Sequence, residues 1–359
     1  GQLGSMNYND SKLIKVGKVT LPYLLVLAML EMLIPGNKFL TIRTVKQLER
    51  LNNIRIPDED RAKIQKVLEQ YPVRLSMHTI RQMRLSQSVA YQYMPFVEES
   101  DDDGAVHTWV GQFHRGIVEQ MYKNRIIFVL NMACPVYCRF CFRKHKECRN
   151  QKSPTQEHVR QAVNYVRIAE DVEEIVLTGG DPFMNRATLT RAVDGLRDIP
   201  HVQTLRIATR SIAYYPHLFY EKNSFWLNYL KRKHLELEAK GKRIEVATHF
   251  IHPSEVSIDS LDIISDLTHA GVSVYVQTPL LKDCNDQGPE LAELYHALRG
   301  AGAEMHYIYI PCSPIRGNMR YVTPISTGIN LAARLRAELS DRAIPRICTA
   351  TAIGKIDWN

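Results

Sequence analysis

The sequence has no apolar run long enough to span a membrane: the longest, residues 21–35, carries Glu31 and falls short of the ~20 residues a span requires. It reads instead as a buried helix. Lys12, Lys15 and Lys18 precede it, but no small-residue cleavage site follows, so no leader is expected and the chain is assigned to the cytoplasm, without a membrane partner. Internal repeats and low-complexity tracts are also missing, which excludes solenoids and low-complexity architectures. Seven cysteines in 359 residues, three of them crowded together, do not make a disulfide framework and point to a reducing compartment and a metal. Nor is the charge strongly one-sided. Lys and Arg total 46 against 38 Asp and Glu, a net +8 that suits anionic ligands without marking a nucleic-acid protein. The one dense basic cluster, residues 139–149, lies beside the cysteines and is read as serving them.

What is present is a folded α/β chain. Apolar residues make up 45% and charged residues 23%, close to globular averages. At ~150 residues per domain the length allows two domains or one large unit. Residues 1–5, ahead of Met6, read as an expression remnant, and residues 6–96 read as helical. Apolar spacing predicts helices at 44–51 and 58–71, the second capped by Asp58, and the acidic run 98–103 reads as a solvated linker. Beyond it, strands are predicted at 125–132, 174–178, 204–209, 243–249, 273–278 and 305–310. Amphipathic stretches at 156–170, 187–198, 225–239, 256–270, 290–299 and 327–339 alternate with them, and 344–353 is a further strand candidate. Six βα units in series imply a parallel sheet, open or closed into a partial barrel. The expected division is a helical domain and linker over 6–105, a barrel core over 106–325 and a C-terminal segment over 326–359. In such sheets ligands bind at the carboxyl ends of the strands. The cysteines follow the first predicted strand, Gly179-Gly180-Asp181 follows the second, and His249, Gln277 and Tyr309 end the fourth, fifth and sixth.

Cys134, Cys138 and Cys141 form a C-x3-C-x2-C spacing that random placement of seven cysteines would produce only about 0.003 times. Structural zinc normally takes four ligands in C-x2-C pairs, and the remaining Cys148, Cys284, Cys312 and Cys348 are isolated. A four-iron cluster held by three cysteines leaves one iron open to another molecule; zinc is the other reading. Taken singly, Gly179-Gly180-Asp181 is an ordinary turn, His249 a core histidine and Lys355 a solvated charge near the end of the sequence.

With the aromatic Phe140 before the last cysteine, the spacing resembles the signature of radical S-adenosylmethionine (SAM) enzymes. Further motifs, in order, resemble the lysine 2,3-aminomutase family. They are Cys138-Arg-Phe-Cys141-Phe-Arg143, Leu177-Thr-Gly-Gly-Asp-Pro182, Arg206-Ile-Ala-Thr-Arg210, Thr248-His-Phe-Ile-His-Pro-Ser-Glu255, Gln277-Thr-Pro-Leu-Leu281 and Gly354-Lys355. The similarity runs from about Ile42 to Lys355. It implies a partial (βα)6 radical SAM barrel, TIM-like, with an N-terminal helical domain. It also implies a 4Fe-4S cluster on Cys134, Cys138 and Cys141 that binds SAM at its open iron. An electron from a low-potential donor such as flavodoxin or ferredoxin then generates a 5′-deoxyadenosyl radical. On this reading Gly179 and Gly180 let the backbone approach the methionine part of SAM, Asp181 pairs with an ammonium, and His249 and Gln277 contact SAM.

The resemblance further implies pyridoxal 5′-phosphate (PLP), attached at Lys355, with Tyr122, Arg125 and Tyr309 matching other PLP-pocket positions. Arg143 matches the arginine that pairs with the substrate α-carboxylate. The implied reaction abstracts hydrogen from the β-carbon of a small amino acid held on PLP and moves its amino group to give a β-amino acid. The pattern has gaps. Met121 replaces a phosphate-binding arginine, the glycine run before the lysine is reduced to Ala352-Ile353-Gly354, and Cys312 stands where lysine enzymes carry an acid. A far ammonium would lack a carboxylate, so free lysine is not the expected substrate. Arg316 and Arg320 are either readers of an acidic group or part of a solvated loop. The family's C-terminal zinc-binding cysteines are absent, so a homo-oligomer would lack that clamp. The alternatives are a PLP-free radical SAM enzyme performing another rearrangement or fragmentation, and an RNA- or peptide-modifying one.

Overall fold

A computed structural model describes residues 13–16, 19–22, 39–100, 113–141, 143, 153–311, 319–351 and 354–358. β1 (Leu13–Val16) and β2 (Val19–Pro22) form an antiparallel hairpin. The helix expected over 21–35 therefore begins on the end of a strand; its remainder lies outside the described residues. β3 (Phe39–Ile42) pairs antiparallel with β4 (Val73–Ser76), enclosing α1 (Val45–Asn52) and α2 (Asp58–Gln70). α3 (Met77–Leu85) and α4 (Gln87–Tyr91) follow. The N-terminal region is thus mixed and not wholly helical, because four-residue strands are too short to show their alternation beside longer helices.

The Thr44 side chain starts α1 by accepting from the Gln47 amide at 3.3 Å, and Gln47 returns the bond to the Thr44 amide at 3.2 Å. At α2 the expected Asp58 cap is corrected: Pro57 is the cap residue, and Asp58 is the first helical residue, 3.2 Å from Arg55. The expected solvated linker is corrected as well. Val97–Ser100 form a 3-10 turn in which Glu99 is only 2% exposed, for a reason that the cysteine loop supplies; residues 101–103 lie outside the described residues.

The main sheet has ten strands in chain order. They are β5 (Phe113–Arg115), β6 (Val118–Tyr122), β7 (Arg125–Val129), β8 (Glu174–Thr178), β9 (Thr204–Thr209), β10 (Arg243–His249), β11 (Ser273–Pro279), β12 (Glu304–Ile310), β13 (Arg346–Thr351) and β14 (Gly354–Asp357). β7 to β13 are parallel, and antiparallel β5, β6 and β14 flank them. Between the parallel strands run α5 (Gln156–Ile168), α6 (Arg186–Leu196), α7 (Ser211–Tyr214), α8 (His217–Glu238), α9 (Ile258–His269), α10 (Pro289–Gly300) and α11 (Ile325–Glu338). This is the six-unit barrel expected from the strand and helix pattern, with β13 as the seventh parallel strand. No helix among the described residues is long and apolar enough to cross a membrane.

Alternation along the strands builds the barrel wall. Ile175, Leu177, Leu205 and Ile207 are fully buried under the helices, each contributing about 1.5–3 kcal/mol. The intervening positions face inward. Register sets Ile127, Val176, Arg206, Glu245 and Ser273 in one row, and His249, Gln277 and Tyr307 in another nearer the carboxyl ends. The sheet closes on itself where the Tyr122 hydroxyl on β6, one strand in from the end, accepts from the Lys355 amide on β14 at 2.9 Å. A side chain, not a strand ladder, fastens this seam.

Candidate active site in the barrel

The cysteine loop leaves β7 and is tied down from the N-terminal region. The Tyr137 amide donates to the Arg74 carbonyl at 2.9 Å and the Arg139 amide to the Gln92 carbonyl at 2.8 Å. Arg139, between Cys138 and Phe140, is 0% exposed and grips Glu99 through three bonds of 2.7 to 3.1 Å. Its remaining nitrogen reaches the carbonyls of Tyr71 and Pro72 at 2.9 and 3.3 Å. This explains the burial of Glu99: a charge leaves water only when paired and fully hydrogen-bonded.

Gly179 and Gly180 end β8 against the same loop. A Cβ on Gly179 would lie 2.3 Å from the Asn131 carbonyl oxygen, and one on Gly180 would lie 2.2 Å from that of Ala133. The Gly180 and Asp181 amides bond those two carbonyls at 2.6 and 2.8 Å. Close backbone approach to the loop before Cys134 is what these glycines permit, where the sequence suggested approach to SAM. The reading of Asp181 is corrected similarly. Its carboxylate accepts from Thr209 and Ser211 hydroxyls at 2.7 and 2.8 Å and from Arg210 and Phe183 amides at 3.2 Å each. Burial pushes its carboxyl pKa up against those donors, and a 1% exposed, fully engaged group has no lone pair left for a ligand ammonium.

His249 and Gln277 end β10 and β11 side by side. The His249 Nε2 lies 3.1 Å from Gln277 Oε1, and Gln277 Nε2 lies 3.1 Å from His306 Nδ1. The amide orientation makes His249 Nε2 the donor and His306 Nδ1 the acceptor, so the His306 ring is neutral. Burial, first among the causes, lowers both histidines to about 4. His306 was missed in the sequence because β12 has an irregularity opposite Val276 and Gln277, which breaks simple alternation.

At the seam, Lys355 Nζ donates to the Tyr307 hydroxyl at 2.8 Å and sits 4.3 Å from that ring's centroid. Burial works to lower the Lys355 pKa, but the Tyr307 oxygen beside the ammonium wins and raises it. Arg125 lies 3.8 Å over the Tyr122 ring, so Arg125 and Lys355 both touch Tyr122. Tyr309 occupies the next inward position of β12, paired with Cys348 and Pro279. Tyr307 also escaped the sequence reading, although period-two spacing from Tyr309 places it on the same face. Arg143 is bidentate to Glu119 of β6 at 2.9 and 3.0 Å, with both side chains 12% exposed. Arg320 lies over the rings of Tyr91 and Phe96 at 4.5 and 4.3 Å, which corrects the solvated-loop reading. Cys148, Cys312 and Arg316 lie outside the described residues.

Residues 129–295 match the family model described as the radical SAM superfamily. The chain is 25% identical to an L-lysine 2,3-aminomutase of Methanococcus maripaludis over 85% of this chain and 70% of that protein. It is 30% identical to an L-lysine 2,3-aminomutase of Clostridium subterminale over 62% of this chain and 51% of the relative. A glutamate 2,3-aminomutase of Clostridioides difficile is 26% identical over 64% and 52% respectively. The chain thus spans about half the length of the two clostridial relatives. Fold and site together define a radical SAM enzyme. Within that superfamily the relatives that the chain matches are lysine and glutamate 2,3-aminomutases.

The family implies a four-iron cluster and SAM, and the cysteine loop fits them. Cys134, Cys138 and Cys141 are all partly exposed on the rim. Beside Cys138, the Tyr93 hydroxyl and Arg210 Nε are buried donors without a hydrogen-bond partner among the described residues, suited to a sulfur-rich group. Among the described residues no three potential ligands converge on a single-ion site. Zinc would gather its ligands on one ion, whereas the cysteines of a cluster divide among its irons.

Proposed function

We propose that the protein is a PLP-dependent radical SAM aminomutase-like enzyme acting on an amino acid other than free lysine. The carrying observation is the gathering of Tyr122, Arg125 and Lys355, with 233 positions separating Tyr122 from Lys355, at one seam of the barrel. PLP bound there would supply an electron-accepting carbon–nitrogen system for amino-group migration, and the cluster with SAM would supply the hydrogen-abstracting radical. Lys355 holds the covalent attachment point. The Tyr307 hydroxyl holds a proton-bearing Nζ in place, and that proton must leave before the nitrogen can act as a nucleophile. Arg125 offers an exposed guanidinium fork to a phosphate.

The substrate reading rests on charge. Glu174 and Glu245 are both spent on Arg206, at 2.9 and 3.0 Å, and Glu119 is spent on Arg143. A side-chain ammonium inside this barrel would have to compete for each of these paired carboxylates. A substrate carboxylate reaching Arg143 exchanges with Glu119, as one carboxylate for another.

The test is borohydride reduction of the anaerobically reconstituted protein with PLP, followed by peptide mass spectrometry. A pyridoxyl adduct confined to Lys355 supports the reading and justifies screening amino acids for β-isomers. With the cluster loaded and a control enzyme labelled, no adduct would replace it with the PLP-free radical enzyme, for which Lys355→Ala retains full turnover.

A further inference from the structure

Behind the cysteine loop lies a buried pair of opposite charges that the aminomutase reading does not use. Arg210 follows β9 and is 7% exposed. Its Nη1 donates to Cys138 Sγ at 2.9 Å, and its Nη2 donates to Gln92 Oε1 and Glu255 Oε1. The rings of Tyr93, Phe140 and Tyr214 surround the guanidinium at 5.3 to 5.6 Å, so little water screens it. Glu255, 1% exposed, is fixed in turn by the Ile251 and His252 amides at 2.6 and 2.8 Å.

We propose that Arg210 sets the reduction potential of the cluster through its hydrogen bond to Cys138, and that Glu255 limits the size of that effect. Reduction adds one negative charge to the cluster. A cation donating to a ligating sulfur stabilises the reduced form more than the oxidised form and raises the potential. The carboxylate beside that cation opposes it, by its own charge and by drawing the guanidinium's other nitrogen away. A cluster that must cleave SAM works at low potential, so an uncompensated guanidinium at this sulfur would hinder the reaction it supports. The inference rests on the cluster and not on PLP or on the substrate.

The test is a potentiometric titration of the anaerobically reconstituted full chain, without SAM, followed by the electron paramagnetic resonance of the reduced cluster. Variants are compared at matched iron and sulfide content. Arg210→Gln is expected to lower the equilibrium constant for one-electron reduction about tenfold, equivalent to about 59 mV more negative. Glu255→Gln is expected to shift the potential in the opposite direction, and Arg210→Lys, which keeps the charge, to move it less than Arg210→Gln. A purely structural role moves both glutamine variants the same way or not at all, and either result overturns the proposal. Should Arg210→Gln fail to load iron, Glu255→Gln decides: a raised potential supports the proposal, and an unchanged or lowered one overturns it.

Discussion

The two sides of the barrel are held by different means. At the cysteine loop, Arg139 with Glu99 and Arg210 with Glu255 are buried ion pairs reinforced by backbone carbonyls and amides, and two glycines admit backbone within hydrogen-bond range. At the seam, among the described residues, one phenol on one amide joins β6 to β14, and the lysine beyond it is held by a hydrogen bond to Tyr307. The difference teaches where this fold spends rigidity. It is concentrated at the cysteine loop and sparse at the seam, which is the division that the proposed cluster and PLP sites would require.

Predictions that break this comparison start with the loop. Cys138→Ala removes a ligand and leaves Arg210 without its sulfur acceptor; iron content after reconstitution should fall to background. Arg139→Met strands the Glu99 carboxylate in a dry site and should cost about 3–5 kcal/mol in urea unfolding. The double variant with Glu99→Leu should recover much of that loss, because it removes both charges. Gly180→Ala drives a methyl into the Ala133 carbonyl and should cost about 3 kcal/mol with reduced iron loading. Gly241→Ala, with nothing within 4 Å of the new carbon but φ +71°, should cost about 1 kcal/mol and leave iron loading unchanged.

The inner row should respond to acid. His249 and His306 have ordinary values of 6.5 and are lowered to about 4 in the fold, so below pH 6.5 the unfolded chain binds protons that the folded chain refuses. Their contribution is therefore complete above pH 6.5 and is lost as pH falls towards 4; His306→Gln should flatten part of that decline in stability. The seam should respond as weakly as the Gly241 turn. Tyr122→Phe removes the acceptor for the Lys355 amide and should cost about 1 kcal/mol, with faster hydrogen exchange at that amide. A loss as large as that of Arg139→Met would erase the contrast between the two sides.

Strands β8 to β10 matched their predicted bounds residue for residue; β8 and β9 alternate buried and part-exposed positions, and β10 keeps the period in its sequence although Ile244 to Thr248 are all buried. The three cysteines, His249, Gln277 and Lys355 were legible as motif positions. What escaped were relations between distant parts of the chain. Nothing around Glu99 in an acidic run announces an arginine forty positions later, and nothing in Gly-Gly-Asp tells a ligand-facing turn from one that faces a loop. His306 was hidden by a local irregularity in pairing, and Glu119 by its place on a short antiparallel strand whose partner, Arg143, lies across a loop.

A cylinder closed all round by peptide ladders has its radius fixed by the number of strands and their stagger. Here the circumference is fastened by a clasp, the Tyr122 oxygen on the Lys355 nitrogen. Parting that fastening would break one hydrogen bond among the described residues, whereas parting any neighbouring pair from β7 to β13 would break a whole ladder.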